Sequence, residues 1–352
     1  MKILYVYSYC TFGGVERVIL NRAEAFREYQ MDIHIDVLFL HDVGAFQDLV
    51  VYLERNDLTH YLHAMVPEKK DQDMASFVDL AQYDMVFNID TPSCFEALEK
   101  VNNFFVECHT PYVQNRRYLS SLSDKVKAII VPSKTFARTI EHELRNDIPL
   151  QVLPNSVPRI FFDCARQESA KIYAKRPIAY MARLDSLKNI DEALKVFTRL
   201  KGRDDVFYVI VGAGATEDQF IQLIEESGII DRTIVRSKIS YDKVTDFFAF
   251  LRAHRGMFFA PSKAESFGMV VAEGIVSGVP VLASDIPEHR ALLQGDADCL
   301  YSLTNIKEAA DKMLQLLARW DEKQDHMHAY AREMGHAGFI RGWQELTERY
   351  LP

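Results

Sequence analysis

The sequence predicts an α/β protein with two doubly wound domains, each built on a parallel sheet. Short runs of β-branched or aromatic residues alternate with longer amphipathic runs, which is the pattern of βαβ units. The alternation is interrupted once, by the turn-forming LPNSVP (153–158), and it resumes near residue 177. A chain of 352 residues is long enough for two domains of ordinary size.

The first half of the chain alternates predicted strands with predicted helices. The strands are KILYVY (2–7), IHIDVLFL (33–40), YDMVFNI (83–89), NFFVEC (103–108) and KAIIVP (127–132). GVERVILNRAEAFREY (14–29) and SKTFARTIEHEL (133–144) repeat their apolar residues at helical spacing. We therefore expect a first domain over residues 1–155.

The second half repeats this alternation. Its predicted strands are PIAYMA (177–182), VFYVIVG (206–212), RTIVR (232–236), GMFFAP (256–261) and VPVLAS (279–284). The segment 305–350 is mostly helical in pattern. We expect a second domain over 156–336 and a last helix, about 337–352, that packs back on the first domain. Ligands of such sheets bind beyond the carboxyl ends of the strands, so a cleft between the domains could hold two substrates.

Composition argues against several classes of protein. The net charge of −9 and the pI near 5.7 argue against a nucleic-acid binder. The five scattered cysteines lack CxxC spacing, so we expect neither a disulfide framework nor a zinc site. MKILYVY is interpreted as a strand rather than a secretory signal, and no run reaches the length of a membrane span. We expect a cytoplasmic protein that could act at the inner face of the membrane.

Two glycine-containing turns follow predicted strands. Gly13 and Gly14 precede the first helix, where backbone N–H groups could meet an anion, although an ordinary βα turn has the same pattern. Gly212 and Gly214 resemble the start of a dinucleotide fingerprint, but Glu217 occupies the third glycine position. We therefore expect no NAD binding here and interpret the loop as part of another kind of nucleotide pocket.

Two cations flank a loop after the first strand of the second half. Arg183 and Lys188 precede NIDEAL, where Asn189 is the predicted N-cap of a helix. Together they could hold both phosphates of a diphosphate, since arginine supplies a fork of donors and lysine a mobile point charge. A solvated surface pair has the same pattern.

Glu265 and Glu273 are eight positions apart in SKAESFGMVVAEGIVSGVPVLASD (262–285). We expect a helix that begins near Ser266 or Phe267, so that eight helical residues would place the two positions about 12 Å apart along the axis. That is too far for one proton-sharing pair, and it suits an elongated ligand held at two places. The alternative is a capping glutamate followed by one that faces solvent.

FVECHTPYVQNRRYL (105–119) places His109 just after a predicted strand, where ligand groups belong in this architecture. A lone histidine is more often structural. Arg116 and Arg117 follow and could meet an anionic acceptor or a lipid headgroup. A wider basic set permits a membrane-surface acceptor but is also typical of a solvated face: Arg116, Arg117, Lys125, Lys127, Lys134 and Arg138.

Taken in order, these motifs resemble the retaining nucleotide-sugar glycosyltransferases of the GT-B fold, family 4 (glycosyl transferases group 1). ESFGMVVAEGIVSGVPVLAS carries the E-x7-E signature of that family. ARLDSLKN resembles its G-R-x-x-x-x-K segment with Ala182 in place of glycine, and VLPNSVP resembles its PNGV hinge with Ser156 in place of glycine. GGVERVILNRAEAF and VPSKTFARTI resemble its opening and its serine-bearing strand end.

The resemblance implies two Rossmann-like domains facing across a cleft, the first for the acceptor and the second for the donor. It implies catalytic roles for His109, Glu265, Arg183 and Lys188. The implied donor-binding residues are Gly13, Gly14, Arg183, Lys188, Gly212, Lys238, Ile239, Glu265, Ser266, Phe267, Gly268, Met269 and Glu273. Arg183 and Lys188 would neutralise the diphosphate, and Glu273 would hold the ribose. Glu265 and His109 would contact the transferred sugar.

The implied reaction moves a hexose, with retention, from a nucleoside-diphosphate sugar to a saccharide, a lipid-linked or a small-molecule acceptor. A UDP-sugar is favoured and GDP-mannose comes next, in the synthesis of cell-surface polysaccharides or glycoconjugates. Neither a cofactor nor a metal is expected, because the DxD-like triplets at 71–73 and 296–298 are interpreted as surface turns. The alternatives are a sugar-nucleotide epimerase of the same fold and a non-catalytic partner subunit.

Overall fold

The computed structural model describes residues 1–11, 13–67, 77–144, 147–165, 173–213, 217–237 and 239–351. The chain forms two compact units, Met1–Pro158 with Gly335–Pro352, and Arg159–Met334. Each unit contains one sheet in which all paired strands are parallel. The predicted fold class, two parallel-sheet α/β domains, is confirmed.

The first unit has the strand order β3-β2-β1-β4-β5-β6-β7 within the described residues. The strands are β1 (Lys2–Cys10), β2 (His34–Asp42), β3 (Leu62–Met65), β4 (Met85–Ile89), β5 (Phe104–Glu107), β6 (Ile129–Val131) and β7 (Leu150–Val152). The α-helices are α1 (Gly14–Glu28), α2 (Phe46–Arg55), α3 (Phe95–Leu98) and α4 (Lys134–Ile140). From β1 the chain adds strands on one side of the sheet as far as β3, and from β4 onward it adds them on the other side of β1. The loops after β1 and β4 therefore flank the crevice where doubly wound sheets bind ligands.

The second unit repeats this topology with the order β10-β9-β8-β11-β12-β13. Its strands are β8 (Arg176–Arg183), β9 (Val206–Ala213), β10 (Thr233–Arg236), β11 (Met257–Ala260), β12 (Val281–Ser284) and β13 (Leu300–Tyr301). Its α-helices are α5 (Arg159–Cys164), α6 (Ile190–Arg199), α7 (Glu217–Glu226), α8 (Val244–Ala253), α9 (Met269–Val276), α10 (Pro287–Leu292), α11 (Ile306–Ala318) and α12 (Trp320–Tyr330). Here the reversal lies between β8 and β11.

The last helix, α13 (His336–Tyr350), belongs to the first unit and packs against α1. The ring of Phe26 on α1 lies 5.4 Å from that of Phe339 and 5.2 Å from that of Trp343. Trp343 is completely buried. A Cβ on Gly342 would lie 2.9 Å from Pro154 Cδ, so the absence of a side chain allows this close approach.

Short elements connect the main ones. Helices of the 3₁₀ type cover Leu80–Gln82, Pro92–Cys94, Val113–Ser121, Glu141–Glu143, Ile230–Arg232, Tyr241–Lys243 and Ala331–Glu333. In the part of the chain that the structure describes, no helix combines the length and the apolar character needed to cross a bilayer.

Candidate active site

The loops that follow β8 and β11 form the candidate site of the second unit. These two strands are neighbours in the sheet, with Met257 opposite Ile178 and Phe258 opposite Ala179. The backbone N–H of Lys263 donates to the carbonyl of Leu187 at 2.7 Å, which joins the two loops beyond the strands. The loops therefore lie side by side at the switch point of the sheet, where ligands of this architecture bind.

An ion pair joins these two loops. Lys188 Nζ lies 2.5 Å from Glu265 Oε1, and the two side chains are 19% and 13% exposed. Burial raises the pKa of Glu265, but the charges of Lys188 and His289 and the hydrogen bonds from Lys188 and Ser262 outweigh it and hold that pKa below its usual range. The site thus contains a carboxylate that stays ionised beside an ammonium group.

Arg183, the other predicted cation, pairs with a carboxylate of its own loop. Its Nη2 lies 3.3 Å from Asp185 Oδ2, and its side chain is 64% exposed. Asp185 also accepts, through Oδ1, the backbone N–H groups of Leu187 and Lys188, each at 3.0 Å. Asp185 therefore shapes the loop that carries Lys188, and it holds Arg183 at the rim of that loop, exposed to solvent.

Asn189 occupies the predicted N-cap position of α6, but its side chain does not cap the helix. Its backbone has a φ of +58°, and its side-chain amide donates to Glu192 Oε2 at 2.9 Å and to the carbonyl of Pro261 at 3.1 Å. Asn189 instead ties the loop after β8 to the end of β11. This second link supports the position of Lys188.

The helix α9 begins at Met269, so the expected start near Ser266 or Phe267 is wrong. Gly268 has a φ of +94°, and this left-handed conformation ends the loop and starts the helix one residue later. No side chain of the described residues caps this end of α9. The first N–H groups of a helix have no acceptor inside it, so this end can bind an anion.

The two glutamates of the E-x7-E signature lie in different environments. Glu265 lies in the loop before α9, and Ser266 and Phe267 beside it are half-buried. Glu273 lies within α9 and is completely buried. The estimate of about 12 Å assumed helix at all eight positions, and it fails because the first four residues are loop.

His289 was not predicted from the sequence as a site residue, although it interacts electrostatically with Glu265 and Lys188. The ring is completely buried, and Nδ1 lies 3.0 Å from the carbonyl of Ser284, to which it can donate. Burial lowers the pKa of His289 more than the Glu265 carboxylate raises it. A Cβ on Gly268 would lie 3.5 Å from His289 Cδ2 and 3.3 Å from Leu292 Cδ1, so the ring packs directly behind the start of α9. Its sequence signal is its place shortly after the strand at 281–284.

The predicted glycine turn of the first unit contains an internal carboxylate. Glu16 is buried and accepts the backbone N–H of Thr11 at 2.5 Å and that of Gly13 at 3.0 Å. Gly14 starts α1 and is exposed. The N–H of Gly13 is thus already bonded within the turn.

His109 lies just beyond β5 and contacts a buried ion pair. Its Nε2 is 2.6 Å from Glu107 Oε1, and Arg22 donates to both carboxylate oxygens of Glu107. Burial raises the pKa of Glu107, but Arg22 and His109 outweigh it and bring that pKa to about 2. Neither Glu107 nor Arg22 was predicted from the sequence as a site residue.

The other predicted residues differ in how close they lie to this site. Gly212 is buried near the end of β9, opposite Ala182 and thus beside Arg183. Ile239 is half-buried after β10, and Lys238 lies outside the described residues. Arg116 is buried and forms two hydrogen bonds with Glu143, at 2.7 and 2.8 Å. The interpretation of Arg116 as part of an open anion-binding face is therefore wrong.

The acidic triplets do not form a metal site within the described residues. The triplet at 71–73 lies outside them. The second triplet lies in a turn with Ala297 exposed, as predicted, and the buried ammonium of Lys323 lies 3.0 Å from Asp296 and 2.8 Å from Asp298. No group of three or more His, Cys, Asp or Glu side chains in the described part of the chain could hold a metal ion.

Comparison with known families and curated proteins shows what the second unit is similar to. Residues 163–334 match the family described as glycosyl transferases group 1. N-acetyl-alpha-D-glucosaminyl L-malate synthase of Bacillus anthracis is 24% identical over 208 residues, which are 55% of this chain and 53% of that protein. The O-antigen biosynthesis glycosyltransferase WclY of Escherichia coli is 28% identical over 119 residues, 34% of this chain and 31% of that protein. The matches span about half the length, or less, of these relatives.

Solved structures match almost the whole chain. A glycosyltransferase from Rickettsia africae has a TM-score of 0.75 at 16% identity and covers 99% of this chain and 98% of its own. Anabaena Alr3699/HepE in complex with UDP and glucose has a TM-score of 0.75 at 14% identity, covering 99% and 100%. A variant of S. aureus TarM in complex with fondaparinux, alpha-GlcNAc-glycerol and UDP has a TM-score of 0.76 at 14% identity, covering 98% and 99%. At these identities the likeness establishes the fold, which is the GT-B fold.

Proposed function

Because residues 163–334 form a domain of the glycosyl transferases group 1 family, we propose that this chain is a retaining GT-B glycosyltransferase of family 4. It moves a hexose from a nucleoside-diphosphate sugar to a saccharide or lipid-linked acceptor. The observation that carries the proposal is the Lys188–Glu265 pair, which puts one cation and one carboxylate at the switch point of the second unit.

The cationic groups act on the leaving diphosphate. Lys188 is largely buried, so its charge is less screened by water than that of an exposed lysine. The uncapped start of α9, with the amides of Phe267, Gly268 and Met269, adds partial positive charge on the same side. Negative charge develops on the diphosphate as the anomeric C–O bond breaks, and these groups stabilise it. Arg183, at the rim, adds a second and more exposed cation.

The two glutamates bind hydroxyl groups. Glu265 accepts hydrogen bonds from the transferred sugar, since its pKa is held below the usual range and it only accepts. Glu273 binds the hydroxyls of the ribose. Ile239 lines the nucleobase, mainly through its backbone, and Gly212 belongs to the nucleotide pocket. Lys238, also predicted there, lies outside the described residues. In the first unit, His109 contacts the sugar, and Gly13 and Gly14 close over the phosphates.

The proposed chemistry retains the anomeric configuration. The anomeric C–O bond to the diphosphate breaks, and the acceptor oxygen forms the new bond on the same face of the sugar. The acceptor proton passes to the phosphate oxygen that leaves. These reaction steps require neither a covalent enzyme intermediate nor a bound metal.

The proposed donor is a UDP-sugar, with GDP-mannose as the next candidate. The structural neighbours Alr3699/HepE and TarM were both solved in complex with UDP, which supports this order. The acceptor belongs to polysaccharide or glycoconjugate synthesis, as in the O-antigen biosynthesis named for WclY. Action at the inner face of the membrane suits a lipid-linked acceptor.

The test is incubation of the purified chain with UDP-glucose, UDP-GlcNAc, UDP-galactose, GDP-mannose and dTDP-glucose. Release of nucleoside diphosphate, with faster release when an acceptor is added, supports the transferase. Isomerised nucleotide sugar without release identifies an epimerase, and the absence of both release and donor binding identifies a non-catalytic subunit. The Glu265→Gln variant, which keeps the size of the side chain, is the control and should abolish release.

A further inference from the structure

The ring of His109 is held by a buried set of charged side chains that the proposed reaction does not otherwise use. His109 Nε2 lies 2.6 Å from Glu107 Oε1. Arg22 Nη1 donates to Glu107 Oε2 at 2.9 Å and to the hydroxyl of Tyr5 at 2.8 Å, and Arg22 Nη2 donates to Glu107 Oε1. Arg22, Glu107 and Tyr5 are at most 1% exposed.

The chemistry of Glu107 decides where the ring of His109 carries its proton. The adjacent guanidinium keeps Glu107 ionised, and an ionised carboxylate accepts hydrogen bonds but donates none. The hydrogen of the 2.6 Å contact must therefore lie on Nε2 of His109. In the neutral ring, Nδ1 then has a lone pair and acts as an acceptor.

A second carboxylate fixes the backbone of the same residue. Asp90 follows β4 and accepts, through Oδ2, the backbone N–H of His109 at 2.8 Å. Its Oδ1 accepts the hydroxyl of Tyr118 at 2.6 Å. The ring and the backbone of His109 are thus bonded to two different carboxylates, from β5 and from the loop after β4. This double attachment leaves the ring little freedom to turn.

Stability alone does not account for the Arg22–Glu107 pair. Taking two charges out of water is costly, and apolar residues of similar volume often replace a buried ion pair without loss of stability. The pair is therefore better explained by what it does to the neighbouring ring.

We propose that Glu107 is a positioning residue for sugar recognition, which holds the proton of His109 on Nε2 and presents Nδ1 to a hydroxyl of the transferred sugar. The inference rests on the proposed function, in which His109 faces that sugar. Arg22 neutralises Glu107, so this carboxylate adds no net charge beside the ring. A sugar hydroxyl can donate a hydrogen bond to Nδ1. A ligand carboxylate could not bind in its place, because an ionised carboxylate and Nδ1 both only accept hydrogen bonds.

Two double variants separate this role from a contribution to folding. Arg22→Met with Glu107→Gln removes both charges but keeps an oxygen that can accept from Nε2. Arg22→Met with Glu107→Leu removes the acceptor as well. We expect kcat/KM for nucleoside diphosphate release to stay within a few-fold for the Gln variant. The Leu variant should lose about tenfold or more, the effect that outer hydrogen-bond partners have on metal-ligating histidines. Equal activity of the two variants would overturn the proposal.

The same pair of variants in a His109→Ala background tests whether Glu107 acts through His109. We expect equal activity of the Gln and Leu variants there, because the ring that Glu107 positions is absent. A further tenfold loss with Leu in that background would show a structural effect and overturn the inference. Circular dichroism and thermal unfolding check that all variants fold.

A spectroscopic readout keeps the inference separate from the proposed function. If the wild type releases no nucleoside diphosphate from any donor, the proposed function fails. The ring proton of His109 can still be located by ¹⁵N–¹H spectra of histidine-labelled protein, assigned with His109→Ala. A proton on Nε2 in the wild type and exchange between both nitrogens in the Leu variant support the role of Glu107. A proton on Nδ1 in the wild type overturns it.

Discussion

The ammonium of Lys188 donates to the carboxylate of Glu265 across 2.5 Å, and this contact joins loops 77 positions apart in the sequence. Under the proposed function, a nucleotide sugar that enters the site would meet an ion pair rather than a bare cation. Lys188 helps to hold the pKa of Glu265 below its usual range in a largely buried place, where an unpaired charge would be costly. Lys188 thus maintains the charge that the proposed chemistry requires of Glu265.

Lys188→Met should lower kcat for transfer by about 10²- to 10³-fold, because it removes a preorganised charge at the leaving diphosphate. Lys263→Met is the matched control, since Lys263 lies in the neighbouring loop and is exposed. Arg183→Met should have a smaller effect than Lys188→Met, because Arg183 is 64% exposed. Initial rates of nucleoside diphosphate release measure all three. A turnover of Lys188→Met equal to that of Lys263→Met would contradict the assigned role.

Glu273→Gln should remove discrimination between UDP and 2′-deoxy-UDP. In the wild type, the deoxy ligand should bind about tenfold or more weakly, since a hydrogen bond to a charged group contributes about 1.5–3 kcal/mol. In the variant both ligands should bind with similar, reduced affinity. Isothermal titration measures the four dissociation constants. If the variant discriminates as strongly as the wild type, Glu273 does not bind the ribose.

Gly268→Ala should destabilise the second unit and weaken donor binding. A left-handed φ of +94° costs an alanine about 1–2 kcal/mol, and the new Cβ would contact Leu292 at 3.3 Å. Gly228→Ala is the control, because Gly228 has a φ of +70° with nothing within 4 Å of a Cβ. Urea unfolding gives the two free energies of unfolding. Equal losses and an unchanged donor affinity for Gly268→Ala would show that packing against Leu292 and His289 does not constrain this turn.

The stability of the first unit should fall as the pH drops from about 4.3 to about 2. The pKa of Glu107 is about 2 in the fold and about 4.3 in an unfolded chain, so its contribution is complete above pH 4.3 and is lost as Glu107 is protonated. The shift corresponds to about 3 kcal/mol. Unfolding followed by fluorescence of the buried Trp343 measures it, in a Trp320→Phe background because Trp320 lies in the second unit. The Arg22→Met, Glu107→Leu variant should lack this part of the pH dependence, and an identical dependence would contradict the assignment.

The strands could be predicted because those of a parallel sheet are buried on both faces and form nearly continuous apolar runs. β1, for example, is completely buried from Ile3 to Val6. The short strands β3, β7 and β13 were not predicted. β13 has two residues, too few for a pattern, and it lies at the edge of its sheet.

The site could be predicted in part. Lys188 and Glu265 were named from local spacing, but their contact depends on the adjacency of β8 and β11, which local spacing cannot show. The start of α9 was misplaced because only the backbone reveals the left-handed turn at Gly268. Glu107 lies inside a predicted buried strand, and that unusual position was a signal that could have been used.

The position of α13 has a consequence for the order in which the protein is made. The ring of Phe339 on α13 lies 5.7 Å from the guanidinium of Arg22, so α13 completes the surroundings of the Arg22–Glu107 pair. The second unit, Arg159–Met334, is continuous in sequence and separates the two segments that make up the first unit. The first unit therefore lacks α13 until the whole of the second unit has been synthesised, and the surroundings of His109 cannot be complete before then.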